Sequence, residues 1–185
     1  MKKLLSVMLA VMTFLTACST KRPEHPVFKF GRWLTKEEKA VVKVFDPLVE
    51  ALEKKDRELL KSVLSNSALA SEDLDAGIDY CFELLEGENF SVKTAYGISG
   101  HERWAYGKHR EWAQNSGVLT VDGKDYLYEL VVFMANDWNP DAVGLDSFKL
   151  SPYDSAAPRN GLIEKYDRSG VYYPAWDDEV ALSRQ

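Results

Sequence analysis

The sequence predicts an α+β fold, with helices in the first half packed on one face of a curved antiparallel sheet built from the second half. Three observations predict it. Between Thr35 and Gly87 the apolar residues recur at helical spacing. From Phe90 onward the period changes to that of strands. Asp122-Gly123 then gives the strongest local hairpin signal in the chain, because that pair accepts the positive φ angles of a type I′ turn. Helices followed by a meander of strands place the helices together on one side of the sheet.

Each element has its own signals. Thr35 and Glu38 stand at capping-box spacing ahead of Val41, Val44, Phe45, Leu48 and Leu52. Pro47 interrupts that stripe, and Asp46-Pro47 predicts a kink or a restart there. Asp56 is the expected N-cap of a helix carrying Leu59, Leu60, Val63 and Leu64. Ser71 is the expected cap of another, with Leu74, Ile78, Cys81 and Leu85 on its stripe and Gly87 ending it. Ser67, Ala68 and the serines around them read as loop and cap residues. Strands are expected at Phe90–Ile98, His101–Tyr106, Arg110–Thr120, Tyr126–Ala135 and Gly144–Leu150. Lys108-His109-Arg110 reads as a polar turn or strand end. Both faces of Tyr126–Ala135 are apolar, which makes it a central strand. Asn136 to Asp141 reads as a turn, with Pro140 in it.

The first residues have a different character. Met1-Lys2-Lys3 is basic, Leu4–Thr16 is uncharged and almost wholly apolar, and small residues follow up to Ala17 and Cys18. That is the layout of an export signal. The apolar run falls short of the roughly 20 residues a permanent spanning helix needs. Leu15-Thr16-Ala17-Cys18 resembles the lipobox of bacterial lipoproteins, in which the cysteine takes a lipid and the chain is cut just before it. The resemblance implies a signal peptide at 1–17, a lipidated leader at 18–34, a folded domain at 35–151 and a C-terminal extension at 152–185 that packs on the domain. Lipid on Cys18 would tie the domain to the cell membrane or outer membrane, with the domain outside the cytoplasm, since each buried methylene adds about 0.8 kcal/mol. With Cys18 consumed, Cys81 has no partner for a disulfide, and its apolar stripe predicts a buried, inert thiol.

The chain carries 23 basic and 29 acidic residues. An acidic balance argues against nucleic acid, which needs a basic stripe. No two histidines stand at metal-ligand spacing, and no HExxH, CxxC, GxSxG or glycine-rich phosphate loop occurs. No cofactor and no metal are therefore expected. Asp137-Trp138-Asn139-Pro140-Asp141 lacks the ordered alternation of a calcium loop, and Asp177-Asp178-Glu179 reads as a solvated charge run.

A second resemblance is carried by motifs in order. Ala51-Leu52-Glu53-Lys54-Lys55-Asp56 leads into Leu59-Leu60-Lys61-Ser62-Val63-Leu64-Ser65 and then Ala68-Leu69. After these come Asp79, Phe82-Glu83-Leu84-Leu85-Glu86-Gly87 and Asn139-Pro140-Asp141-Ala142-Val143-Gly144-Leu145. Over residues 40–151 the chain resembles an uncharacterised family of bacterial lipoproteins, domain of unknown function 5104. The resemblance implies a relative of the nuclear transport factor 2-like (cystatin-like) superfamily, in which helices pack into a bent sheet that forms a cone. It implies no catalytic residues, and such folds host enzymes and binding modules alike.

His101, Trp104, Tyr106 and Trp112 are the pocket candidates, with His109 near them, because aromatics and a histidine at a cone mouth suit a small planar ligand. His101 and Glu102 are neighbours in a strand and are expected on opposite faces. Trp33, Trp104, Trp112, Trp138 and Trp176 are expected to pack as core or cone wall unless exposed as a binding surface. The expected function is a tethered module that binds a small ligand or an envelope protein. The alternatives are a small hydrolase or isomerase-like enzyme with a pocket histidine, and a structural envelope lipoprotein.

Overall fold

The computed structural model describes residues 34–95, 97–153 and 168–172. The export signal, Cys18, Trp33, most of the C-terminal extension, Trp176 and the 177–179 acidic run lie outside the described residues. Helix α1 spans Lys36–Lys54 and opens with the expected capping box. The Glu38 amide donates to Thr35 Oγ1 at 3.2 Å, and Glu38 Oε2 accepts from the Thr35 amide at 2.7 Å. Its stripe of Val41, Val44, Phe45, Leu48, Ala51 and Leu52 is buried. Pro47 neither ends nor restarts the helix, which runs through it. The reason is burial: apolar residues on both sides of Pro47 pack on the sheet, and that offsets the roughly 3 kcal/mol an interior proline costs.

Asp56 caps α2, Arg57–Val63, accepting from the Leu59 amide at 3.0 Å. A four-residue helix α3, Asn66–Leu69, stands where loop residues were expected, and Ser65 caps it through the Ala68 amide. Helix α4, Leu74–Leu84, buries Leu74, Ile78 and Cys81 as the stripe predicts. Asp73 rather than Ser71 occupies its N-cap position; the Ser71 hydroxyl bonds the Asp73 carboxylate instead. Burial pushes the Cys81 thiol far above its ordinary pKa, which keeps it protonated and unreactive.

The described strands form one mixed sheet: β1 Phe90–Ala95, β2 Ser99–Ala105, β3 Lys108–Val121, β4 Lys124–Asn136, β5 Gly144–Pro152 and β6 Gly170–Val171. The order is β1-β3-β4-β5-β6, and β2 pairs with β3 on the same edge as β1. The expected meander holds from β2 to β5. The sheet is not wholly antiparallel, because β6 adds alongside β5 in parallel. Strand β4 is central, as its two apolar faces required. Bulges interrupt its register with β3 at Glu111/Trp112 and with β5 at Val131/Val132. Asp122 (φ 47°) and Gly123 (φ 81°) make the predicted turn. The Asp122 carboxylate also accepts from the amides of Glu88 and Asn89, which fastens the approach to β1.

The helices lie on the sheet face that carries Tyr126, Tyr128, Leu130 and Val132, all buried. Phe45 and Tyr128 meet with ring centroids 5.0 Å apart, and the Tyr128 hydroxyl donates to the buried Asn115 at 3.1 Å. The Asn139–Leu145 segment docks the sheet on α3: Asn139 Nδ2 donates to Ser67 Oγ at 2.9 Å, and the Ser65 amide donates to the Leu145 carbonyl at 2.9 Å. Asp146 completes this corner. Its Oδ1 accepts from Ser169 at 2.8 Å and from Ser65 at 3.3 Å, joining β5, α3 and the approach to β6. Among the described residues, no helix is long and apolar enough to cross a membrane.

Two stability predictions follow from this packing. A Cβ at Gly77 in α4 would lie 2.0 Å from the Val171 carbonyl oxygen. Gly77→Ala is therefore expected to push β6 off and to destabilise by on the order of 2–4 kcal/mol in a denaturant melt, despite the better helix propensity of alanine. Burial holds the Asp146 carboxyl above its ordinary value of 3.8, against the two serine hydrogen bonds. The folded state thus favours the protonated form, so the contribution is intact below 3.8 and is lost as pH rises through the raised pKa. Asp146→Asn keeps the acceptor and removes the charge. It is expected to stabilise by on the order of 1 kcal/mol at pH 7, with the gap in Tm closing as the parent is titrated below pH 3.8.

Candidate functional site

Strands β2 and β3 form a hairpin whose turn is Tyr106-Gly107, with φ of 54° and 73°. Of the two readings of Lys108-His109-Arg110, the strand end holds: it opens β3 and pairs residue by residue with Ala105, Trp104 and Arg103. The type I′ geometry requires positive φ at both central residues, and asparagine, aspartate or glycine supply the first at least cost. Tyrosine supplies it at a cost of about 1–2 kcal/mol for an L-residue in the left-handed region. Its side chain is 98% exposed, so packing returns none of that.

The register decides which candidates meet. His101 and Trp112 are cross-strand partners, and their rings stack at 5.0 Å. Phe133 of β4 joins them, 6.1 Å from Trp112. His101 Nε2 lies 3.0 Å from Ser99 Oγ. Trp104 is on the opposite face, stacked on His109 at 4.2 Å. Tyr106 stands alone at the tip. The four pocket candidates are thus divided between two faces and a turn of one hairpin.

The face that continues under α1 is an ion and hydrogen-bond network. Glu102 accepts from Trp104 Nε1 and from His109 Nε2, each at 3.0 Å. The tryptophan hydrogen bond first, and the histidine second, hold the Glu102 carboxyl below its ordinary range. Glu111, on the same face, pairs with Lys36 at the start of α1. Gly100 is required there, since a Cβ would come within 2.8 Å of Glu37 Cγ. The separation of His101 from Glu102 is as the alternation predicts, and the carboxylate finds His109 instead. Glu102 is 60% exposed at its side chain.

The other face holds residues that composition and motif did not single out. Arg103 and Arg110 are direct cross-strand partners. Arg110 lies over Trp112 at 4.8 Å and over Phe133 at 5.8 Å, and Arg103 over Trp138 at 6.0 Å. With Ala105 and Tyr106 they line an open groove of about 270 Å³. Trp138 reaches it because the turn after β4 is fixed: Asn136 Oδ1 accepts from the amides of Trp138 and Asn139, and Asp137 Oδ2 accepts from the His109 amide at 2.7 Å. Asp137 and Asp141 are thereby used inside the turn and its contact with Asn66. Among the described residues no cluster of three metal-ligating side chains occurs.

The family model described as domain of unknown function (DUF5104) matches residues 47–154, more than half of the chain. The chain belongs to this family. The DUF5104 match runs from Pro47 in α1 past the end of β5 and takes in the whole β2–β3 hairpin and the Trp138 turn. No curated protein matches the chain.

Proposed function

We propose that this DUF5104 protein is a lipoprotein, held at the cell membrane or outer membrane by lipid on Cys18 with its domain outside the cytoplasm, and that the folded domain is a binding module. It engages a small ligand or an envelope protein through the β2–β3 hairpin. The observation that carries the binding reading is the display on that hairpin. Tyr106 is 98% exposed and Trp138 39% exposed beside Arg103 and Arg110, and Trp104 is 67% exposed on the hairpin's other face, while the space between sheet and helices is filled by Phe45, Tyr128, Phe148 and leucines. Exposed large aromatics grouped with arginine are the composition of binding surfaces. The anchor is supported by Met1-Lys2-Lys3, the apolar run and Leu15-Thr16-Ala17-Cys18. A nuclear transport factor 2-like cone is supported by helices on one face, by bulges in long strands and by two strands sharing one edge of β3.

The second reading is a small hydrolase or isomerase-like enzyme. Only the 3.0 Å contact of His109 with Glu102 favours it. That imidazole is stacked under Trp104, but its carboxylate partner is 60% exposed, so water is not excluded from the pair as effective acid–base chemistry requires.

Two experiments test the reading. Cells fed an alkyne fatty acid are expected to label the protein, and Cys18→Ser is expected to abolish the label and release folded protein from membranes. Label retained in the variant would sink the anchor. A thermal-shift screen of the purified full chain against metabolites and cell-wall fragments is expected to find a compound that raises Tm by mass action, with the rise lost in Tyr106→Ala/Trp104→Ala. Compounds that shift parent and variant equally would place binding elsewhere; no shift at all would favour a structural envelope lipoprotein.

A further inference from the structure

Like charges directly opposite each other in a sheet are destabilising. Arg103 and Arg110 are such a pair. Neither forms an ion pair with a carboxylate among the described residues; their contacts there are the aromatic rings of Trp138, Trp112 and Phe133. The nearest acids by position are committed elsewhere. Glu102 and Glu111 point to the other face, to His109 and Lys36, and Asp137 is held by the His109 amide. Arg110 Nε is shielded from solvent and has no hydrogen-bond partner. A buried donor left unmade costs about 1–3 kcal/mol. The hairpin also carries the Tyr106 turn, which costs energy without packing in return. Three unfavourable features, a like-charge pair, an unmet donor and a left-handed tyrosine, converge on one groove.

We propose that the groove between Arg103 and Arg110 binds the anionic group, carboxylate or phosphate monoester, of a small molecule whose flat apolar body lies against Trp138 and Tyr106. The inference rests on the binding reading above and deepens it. Two planar guanidinium forks suit the oxygens of such a group and cancel the repulsion between them. Their flanking rings hold each fork in place before the ligand arrives, which lowers the ordering cost of binding. The Trp138 ring is 39% exposed and Tyr106 wholly so, leaving two ring faces to take a planar body. At about 270 Å³ the groove lies just under the roughly 300–1,000 Å³ of pockets for drug-sized ligands, so a one-ring molecule fits it and a larger one overhangs.

The test is a titration of the full chain with phenyl phosphate, inorganic phosphate and benzyl alcohol, followed by the indole N–H resonances. Phenyl phosphate is expected to move the Trp138 signal, assigned with Trp138→Phe, and to saturate. Inorganic phosphate is expected to bind more weakly at the same residues, and benzyl alcohol not to bind. Arg103→Gln and Arg110→Gln are each expected to weaken phenyl phosphate about tenfold or more, the worth of one charge-assisted contact. Arg103→Lys should fall between. Arg103 has one ring contact among the described residues, Trp138 at 6.0 Å, so Arg103→Gln keeps the test open if loss of Arg110 disturbs Trp112. In the absence of anion, Arg103→Gln is also expected to raise Tm, and more so at low salt, an effect opposite to that of losing a structural contact. Equal affinity in parent and both glutamine variants, or no titration by phenyl phosphate, overturns the proposal. A neutral compound that needs Tyr106, found while phenyl phosphate fails, overturns the anion assignment and leaves the binding reading standing. Failure of every hairpin-dependent ligand sinks both.

Discussion

The register of β3 is the constraint on which the rest depends. This strand carries β1 against Gly117–Val121 and β2 against Lys108–Gln114 on one edge, and β4 along the other. A slip of one residue would send every side chain to the opposite face. Arg103 would then meet a different partner, and Glu111 would leave Lys36. Two devices pin the register. The two-residue Tyr106-Gly107 turn fixes β2 on β3, and the bulge opposite Glu111/Trp112 brings Trp112 level with Phe133. The aromatic cluster of one face and the ion network of the other are both products of that alignment.

The helices act on the site from a distance. Helix α1 covers the inner face only as far as Lys36 and Glu37, where it meets Glu111 and Gly100. Beyond that point no helix among the described residues lies beside the hairpin, and Trp104 and Tyr106 are exposed. The inner core is closed by polar as well as apolar contacts. Asn115 receives the Tyr128 hydroxyl, and Asp146 gathers Ser65 and Ser169 from two other elements. A buried carboxylate with hydroxyl donors and, among the described residues, no cation partner is a weak source of stability. Its value lies in position: it sets where α3 and β6 meet β5, and the same corner carries the turn that aims Trp138.

Most of the fold was legible in the sequence because its signals are local. The Thr35/Glu38 box, the Asp56 cap, the α4 stripe and the Asp122-Gly123 turn each follow from a few adjacent side chains. What escaped was decided by tertiary packing. Pro47 reads as a kink or a restart, yet the helix does not restart: the buried stripe on both sides holds α1 through it. A two-residue parallel strand such as β6 has no period to detect, so the sequence predicts only that the C-terminal extension packs on the domain; Gly77, whose missing side chain makes room for Val171, does not by itself point to a strand. The β2–β3 turn escaped for a different reason. Tyr106 is a poor residue for positive φ, so turn chemistry does not mark it, and the polar Lys108-His109-Arg110 reads equally as turn or as the strand end it is.

The same contrast explains how much of the site could be seen. Histidines and tryptophans draw attention by their chemistry, and the hairpin does contain all of those singled out near it. Arginines draw none in an acidic chain with many charges. Their significance arises only from pairing, when Arg103 is placed opposite Arg110 with aromatic rings beneath both. A sequence that only had to fold would not hold two like charges in register, leave a guanidinium donor unmet and put tyrosine where asparagine or glycine fits better. Local choices that disagree with stability mark the places where something else is being satisfied. In this chain three of them fall together on one exposed groove.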